Sequence, residues 1–291
     1  MHRLSLITLN VRGINSWRKR RAIFRQLHNK NASVFFLQET YSSNNQEKLW
    51  SSEWGSKIHI CHGSKHSKGV AILFIPKIQV TIENQMQSED GRILILQVVI
   101  DDTKLVCANI YAPNDPGAQH RFYLHLNDIL QKFSSESIIL GGDFNCPLSK
   151  EDKEGGRDFS HEYHAAEETK SLMFSLDLED VWRKLHPNKK QFTWRTSDQK
   201  IKCRLDYWLT SKQLLQQSLA RKCELKINFA PHCDHSSVCM EIEKKVRQPR
   251  GPGFWKFNSS LLEDSDYTAA AAEKPPQFID RYKDLEDKGL L

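Results

Sequence analysis

Asp143 and Asn145 close the stretch Ile138-Ile139-Leu140-Gly141-Gly142-Asp143-Phe144-Asn145, which runs on into Cys146-Pro147. The three apolar residues read as a short buried strand. The two glycines allow a tight turn and a close approach to whatever lies beside it. Residues two apart in an extended segment point the same way, so the Asp143 carboxylate and the Asn145 amide face one place. Such a pair at the mouth of a buried strand suits a hard divalent cation and a phosphate oxygen. Taken alone, the stretch reads equally well as a glycine turn whose Asp and Asn satisfy local backbone.

Polar residues recur where other apolar runs stop. Asn10 follows Leu6–Leu9, Glu39 follows Phe35–Leu37, and Tyr111 follows Ala108–Ile110. Asp206 lies within Arg204-Leu205-Asp206-Tyr207-Trp208, and Asp234-His235 precedes an apolar run at Val238. Each one singly is a turn or edge residue. Strand ends along one rim of a sheet can converge, however, and together these types make a different case. Glu39 with one or two aspartates gives the oxygens that Mg²⁺ prefers. His235 beside Asp234 reads as a general base or phosphate partner held by a carboxylate. A Tyr and an Asn on the non-bridging oxygens would complete a phosphodiester site.

The elements that must position these residues are many short strands with a few helices between them. Strands are expected at 4–9, 34–37, 58–62, 70–75, 93–100, 104–110, 138–140, 192–194, 205–209 and 238–242. Residues 93–100 and 104–110 make a hairpin across Asp101-Asp102-Thr103, and 58–62 pairs antiparallel with 70–75. Helices are expected at 16–30, capped by Asn15 or Ser16 with Ile23, Phe24 and Leu27 on one face, at 117–133 and near 164–175. Residues 149–161 read as a polar loop. The sum is an α+β fold: a four-layer α/β sandwich of two mostly antiparallel sheets packed face to face, with outer helices. That domain is expected over 1–243, followed by a basic linker and tail, disordered or helical, over 244–291.

With 291 residues, 39% hydrophobic and 27% charged, the chain reads as soluble and globular, with enough length for a sizeable core. Its longest apolar runs are far too short to span a bilayer, and the N-terminus lacks a signal-peptide pattern. Seven cysteines, an odd number without a CxxC pair, point to reduced thiols inside a cell. The formal charge of +6 favours a polyanionic partner. Arg18-Lys19-Arg20-Arg21 reads as a solvated helix face, or else a nuclear-localisation or DNA-contacting patch. His59, Cys61, His62 and His66 match no common zinc spacing and read as a polar loop.

Six runs carry a resemblance: Leu9-Asn10-Val11-Arg12-Gly13, Leu37-Gln38-Glu39-Thr40, Asn109-Ile110-Tyr111-Ala112-Pro113, Gly142-Asp143-Phe144-Asn145, Arg204-Leu205-Asp206-Tyr207 and Cys233-Asp234-His235-Ser236. In types and order the chain resembles the endonuclease/exonuclease/phosphatase superfamily over roughly residues 4–243. Within it, the chain is most similar to the apurinic-like endonuclease domain of non-LTR (LINE-type) retrotransposons. The Arg-Gly-Ile after Asn10, Phe192-Thr193-Trp194 and Gly253-Phe254-Trp255-Lys256-Phe257-Asn258 point that way.

The resemblance implies an enzyme that hydrolyses double-stranded DNA with Mg²⁺, or with Mn²⁺ in its place, leaving a 3′-hydroxyl and a 5′-phosphate. Glu39 would be the principal metal ligand, with Asn10, Asp143, Asn145, Asp234 and His235 lining the same cluster. Asp143 would orient or deprotonate the water, while Asn145 and Tyr111 would stabilise the transition state. His235 would contact the scissile phosphate with Asp206 in support. Arg12, Arg157, Thr193 and Trp194 would meet the substrate. A monomer with no obligate protein partner, working in the nucleus, is expected. Abasic-site repair or exodeoxyribonuclease III-type activity is the first alternative, a phosphatase of the same superfamily the second, and a non-catalytic nucleic-acid-binding remnant the third.

Overall fold

The computed structural model describes residues 3–156, 158, 163–226, 233–244 and 258–273. The chain divides into two compact units, 1–245 and 246–291. The first begins with β1 (Arg3–Asn10), α1 (Trp17–His28), β2 (Val34–Gln38), α2 (Glu47–Trp54), β3 (Ile58–Cys61) and β4 (Val70–Phe74). There follow β5 (Val80–Gln87), β6 (Ile93–Ile100), β7 (Thr103–Tyr111), α3 (Pro116–Gln131), β8 (Ile138–Asp143), β9 (Lys153–Glu154) and α4 (Tyr163–Ser175). Next come β10 (Leu178–Asp180), α5 (Val181–Leu185), β11 (Trp194–Arg195), β12 (Lys202–Cys203) and β13 (Asp206–Ser211). The unit closes with α6 (Lys212–Gln217), β14 (Ser218–Lys226) and β15 (Ser237–Lys244), and the second unit carries α7 (Ser265–Glu273).

Two six-stranded sheets form, ordered β14-β15-β1-β2-β4-β3 and β10-β13-β8-β7-β6-β5. Both follow one plan. The central pair, β1 with β2 or β7 with β8, is parallel, and every flanking pair is antiparallel. A parallel pair needs a crossover, and here α1 and α3 supply one each. In the first sheet Leu4 and Leu6 face the second sheet, while Ile7 and Leu9 face the helices. Leu6, Phe36, Leu96, Ile139, Trp208 and Met240 meet between the sheets. Separate apolar clusters bind α1 and α2 to the first sheet and α3 and α4 to the second. The α+β sandwich expected from the sequence is therefore present, with helices outside both sheets.

One polar seam crosses the apolar middle. Gln38 Nε2 donates to Thr8 Oγ1 (3.0 Å) and to Asn109 Oδ1 (2.7 Å), and Asn109 Nδ2 donates to the Leu37 and Ala71 carbonyls. All three side chains are fully buried. Hydrogen bonds of this kind in a buried seam fix how two layers register, so Asn109 pins β7 of one sheet to β2 and β4 of the other.

Several elements differ from the sequence reading. The α1 helix spans 17–28, and its N-cap Ser16 makes no side-chain capping bond. Phe192 and Thr193 are not strand; only Trp194–Arg195 is, in a small third sheet, β11-β12-β9, that draws in part of the 149–161 loop. The α2, β5, β10, α5, α6 and β14 elements had no counterpart in the sequence reading. The basic run 18–21 is not all solvated: Arg20 is 2% exposed, packed on Trp50, and paired with Glu53 through Nε (2.5 Å) and Nη2 (2.9 Å). His59, Cys61 and His62 bond separately to Gln85, Ser88 and Ser42. The seven cysteines are free. Among the described residues no helix is long and apolar enough to cross a membrane.

Candidate active site

Strand alternation decides which side chains reach the rim between the sheets. Asn10 has the parity of Leu4 and Leu6, so it ends β1 facing the second sheet. On the opposing sheet, Tyr111 ends β7 and Asp143 ends β8 with the inward parity of Cys107 and Ile139. Asp206 opens β13 directly across the ladder from Asp143. Gly141 leaves room for the Trp208 ring, since a Cβ there would lie 2.3 Å from it. Gly142 has φ +139, and a Cβ there would lie 2.1 Å from the Ile110 carbonyl, so only glycine carries the chain into Asp143 by this route.

The polar groups interlock. Asn10 Nδ2 donates to Glu39 Oε1 (2.8 Å) and to Asp143 Oδ2 (2.9 Å), joining a carboxylate from each sheet. Its own Oδ1 accepts the Arg12 amide. His235 shares a hydrogen bond between Nδ1 and Asp206 Oδ2 (2.8 Å), and its Nε2 lies 3.8 Å from Asp143 Oδ2. Asn145 donates from its amide N–H to Asp143 Oδ1 and from Nδ2 to the Ala112 carbonyl. Around this cluster Arg12, Glu39, Tyr41 and Asn145 all hold left-handed φ between +46 and +56. Non-glycine residues rarely stay there, at a cost of about 1–3 kcal/mol each, unless their surroundings impose it.

The electrostatics follow from burial. Removal from water raises the Asp143 carboxyl to about 7, against the opposing pull of His235. Burial alone would lower His235, but the Asp206 and Asp143 carboxylates outweigh it and push the imidazole up to about 10. The Tyr111 phenol is raised by burial and then by the Glu39 and Asp143 charges.

Of the residues picked from sequence, Asn10, Glu39, Asp143, Asn145, Asp206 and His235 come together, and Tyr111 stands close enough to sense Glu39 and Asp143. Two others, Asp234 and Thr193, do not behave as expected. Asp234 is exposed, and its carboxylate lies 3.6 Å from the Arg12 guanidinium. The chain bends at Asp234, so the carboxylate that holds His235 is Asp206, not Asp234, and Asp234 is not part of the buried group. Thr193 is 1% exposed, and its hydroxyl accepts the Leu205 and Asp206 amides, so it braces β13 instead of meeting substrate. Trp194 is half-buried and pairs by backbone with His235. Arg12 is exposed beside the site, whereas Arg157 lies outside the described residues.

Two contributors were missed. Tyr41 donates its hydroxyl to Glu39 Oε2 (2.6 Å), so Glu39 is gripped on one oxygen by Asn10 and on the other by Tyr41. The Tyr41 ring lies against Gly13, where a Cβ would come within 2.4 Å of it. Arg204, just ahead of Asp206, is fully buried between the rings of Trp182 (4.8 Å) and Tyr207 (4.3 Å). It pairs with Asp152 (2.8 Å) and Asp180 (2.7 Å). Tyr207 is three residues away, but Trp182, Asp152 and Asp180 lie far off in sequence, and nothing local announces them.

Asp143, Asp206 and His235 each offer a ligand atom within 4.8 Å of the others, all buried. Asp206 Oδ1 is buried without a hydrogen-bond partner. An orphaned buried carboxylate oxygen beside a second carboxylate whose pKa burial has raised is what a bound cation would satisfy. The oxygen-and-imidazole donor set fits a metal ion, with Glu39 reached through Asn10.

Residues 7–221 match the Endonuclease/Exonuclease/phosphatase family. The chain is 29% identical over 274 residues to the "Transposon TX1 uncharacterized 149 kDa protein" of Xenopus laevis, covering 93% of this chain and 20% of that protein. It thus spans about a fifth of the curated relative's length. It is similar in structure to an AP endonuclease from Leishmania major, with TM-score 0.72, 15% identity, and 83% of this chain and 88% of that chain covered. It is also similar to a 3′ phosphatase from Neisseria bound to a product DNA hairpin, with TM-score 0.64, 17% identity, and 81% and 98% covered. At such identities these two likenesses concern the fold. Because the family match runs from the strand that carries Asn10 to the one that carries Asp206, the chain belongs to the Endonuclease/Exonuclease/phosphatase family.

Proposed function

We propose that this chain is a Mg²⁺-dependent phosphodiesterase that nicks double-stranded DNA, leaving a 3′-hydroxyl and a 5′-phosphate. The observation that carries the reading is the rim cluster in which Asn10 bridges Glu39 to Asp143 while Asp206 holds His235 against the same Asp143. Glu39, Asp143 and Asp206 are the residues that would hold the metal, which when bound would polarise the phosphate and neutralise charge on the leaving oxygen. Asp143 orients the attacking water and takes its proton. His235, protonated at neutral pH and steadied by Asp206, donates from Nε2 to a non-bridging phosphate oxygen. Asn145 and Tyr111 face the charge that grows on that phosphate. Water attacks phosphorus, the bond to the 3′ oxygen breaks, and the 3′ oxygen leaves and is protonated.

The transposon relative and a fold shared with an AP endonuclease and a DNA-bound 3′ phosphatase support DNA as the substrate and working within a retrotransposon cycle. They also support abasic-site cleavage or 3′ trimming as a second reading. Asp143-Phe144-Asn145 argues against the small-phosphate phosphatases, which resemble this fold but carry Asn-Tyr-Arg after the aspartate.

Conversion of supercoiled plasmid to the nicked form is the test. Mg²⁺ or Mn²⁺ should support it and a chelator abolish it, and Glu39→Ala should lose most of the rate while melting normally. Cleavage that survives both the chelator and Glu39→Ala would remove the metal assignment. Tyr41→Phe keeps the ring against Gly13 but frees one Glu39 oxygen. Losing an outer partner of a ligand typically costs 10–100-fold in metal affinity, so Mn²⁺ binding followed by electron paramagnetic resonance should weaken on about that scale. Unchanged Mn²⁺ affinity would make Tyr41 a packing residue only.

A further inference from the structure

A groove of about 550 Å³ runs along the outer side of α1 where it meets α2, lined by Trp17, Arg21, Phe24, Arg25, His28 and Glu53 among others. Trp17, Arg21, Phe24 and His28 are spaced 4, 3 and 4 apart, which sets them on one flank of the helix. This flank is not the side of α1 that meets the site loop, where Lys19 Nζ donates to the Arg12 carbonyl.

The groove has two chemical features at once. It is aromatic: Trp17 is 56% exposed, Phe24 is buried beneath, and His28 is stacked on Trp54 at 4.1 Å between ring centres. It is also cationic. Arg21 and Arg25 are exposed and form no ion pair among the described residues, and Arg18 lies over the Trp17 ring at 5.3 Å. The one carboxylate in the lining, Glu53, is taken by the buried Arg20, which holds its pKa below the ordinary value. Glu53 also attracts Arg21, but one carboxylate already bonded to Arg20 leaves the rim of Arg18, Arg21 and Arg25 with an excess of positive charge.

We infer that this groove is a second nucleic-acid site, which takes an unpaired strand with a base laid on Trp17 and the adjoining phosphates on Arg21 and Arg25. A duplex keeps its bases stacked inward and would meet only the arginines, leaving the aromatic slot without a use. An acidic peptide would answer the charge but not the exposed indole. Exposed aromatic faces beside a basic track are how proteins hold single strands without reading their sequence. The site is separate from the cleavage cluster, and the inference does not depend on what that cluster hydrolyses.

The test is binding of fluorescent oligo(dT) and oligo(rU) to the full chain carrying Glu39→Ala, by anisotropy, with and without Arg21→Glu/Arg25→Glu or Trp17→Ala. Each change should weaken single-strand binding by roughly tenfold or more, the scale of a lost stacked base or of two lost phosphate contacts. The salt slope should fall by about 0.7 per phosphate lost. In the otherwise wild-type chain, both changes should leave nicking of a short duplex within twofold. The two oligonucleotides tell whether DNA or RNA is preferred. Arg21→Ala/Arg25→Ala serves if the charge reversal alters melting. Single-strand affinity unchanged in either variant would overturn the inference. So would duplex nicking that falls in parallel, which would make the groove part of the duplex track. Polyglutamate displacing the oligonucleotide at equal charge concentration would overturn it in favour of an acidic protein.

Discussion

Asp143→Asn is expected to slow strand cleavage by roughly 10²–10⁴-fold, the range for a positioned proton acceptor, with little loss of fold. The amide keeps the shape and can still meet the Asn145 N–H, but it cannot take a proton. It also removes one of the two carboxylates that push His235 up to about 10. The sign of the pH response follows from the Asp143 value of about 7. Below its pKa the carboxyl is protonated and idle, and a bound cation lowers that pKa from its metal-free value, so wild-type cleavage should rise with pH through a limb below 7 that the Asn variant lacks. His235→Ala should lose a comparable amount. Because Asp143, His235 and Asp206 act as one unit, the double variant Asp143→Asn/His235→Ala should be little worse than either single one. Losses that simply multiply would show that the two side chains act independently.

The second large effect concerns stability. Arg204→Leu removes a cation that is 1% exposed and leaves Asp180 and part of Asp152 buried without their partner. Breaking a buried pair from one side costs about 3–5 kcal/mol, because the abandoned charge cannot reach water. Asp152 keeps Arg183, so Asp180 bears most of the loss. The Arg204 amide also donates to the Asp152 carbonyl, and the Tyr207 hydroxyl donates to the Arg204 carbonyl. Leucine keeps both of these main-chain bonds, so the start of β13, and with it Asp206, should stay in place. Urea unfolding should show a midpoint shifted by that energy with an unchanged slope. A loss below about 1 kcal/mol would mean that the aromatic rings of Trp182 and Tyr207, not the charges, hold this corner.

Much of the site was legible because its residues stand at the ends of apolar runs, and strand parity then sends Asn10, Tyr111 and Asp143 to the same rim. What stayed hidden has physical reasons. Adjacency suggested Asp234 as the partner of His235, whereas the resemblance pointed to Asp206, and it is Asp206 that bonds the ring while Asp234 turns out toward Arg12. Tyr41 sits two residues past Glu39, on a left-handed stretch that no period describes. Thr193 was assigned to the substrate surface by the resemblance alone, but the amides of Leu205 and Asp206 claim its hydroxyl. Among the elements, β5 was missed because most of Val80–Gln87 is polar and partly exposed at a sheet edge, so no clean alternation marks it. The α2 helix left a readable sign: Trp50 and Trp54, four apart, are both buried.

The place of β1 has a consequence for how the protein is made. It is a central strand, with β2 on one side and β15 on the other, so residues near position 5 wait for residues near position 240. Until Ser237–Lys244 leaves the ribosome, the apolar strand Leu4–Leu9 has an open edge, and open edges recruit foreign strands. The second sheet, whose strands all lie between residues 80 and 211, has no such delay. A growing chain therefore closes the half that carries Asp143 and Asp206 first, and it keeps Asn10 and Glu39 on an unfinished sheet until the end. Nascent chains cut before residue 237 should then be the ones that aggregate, while a stop shortly after 245 should not add to that hazard.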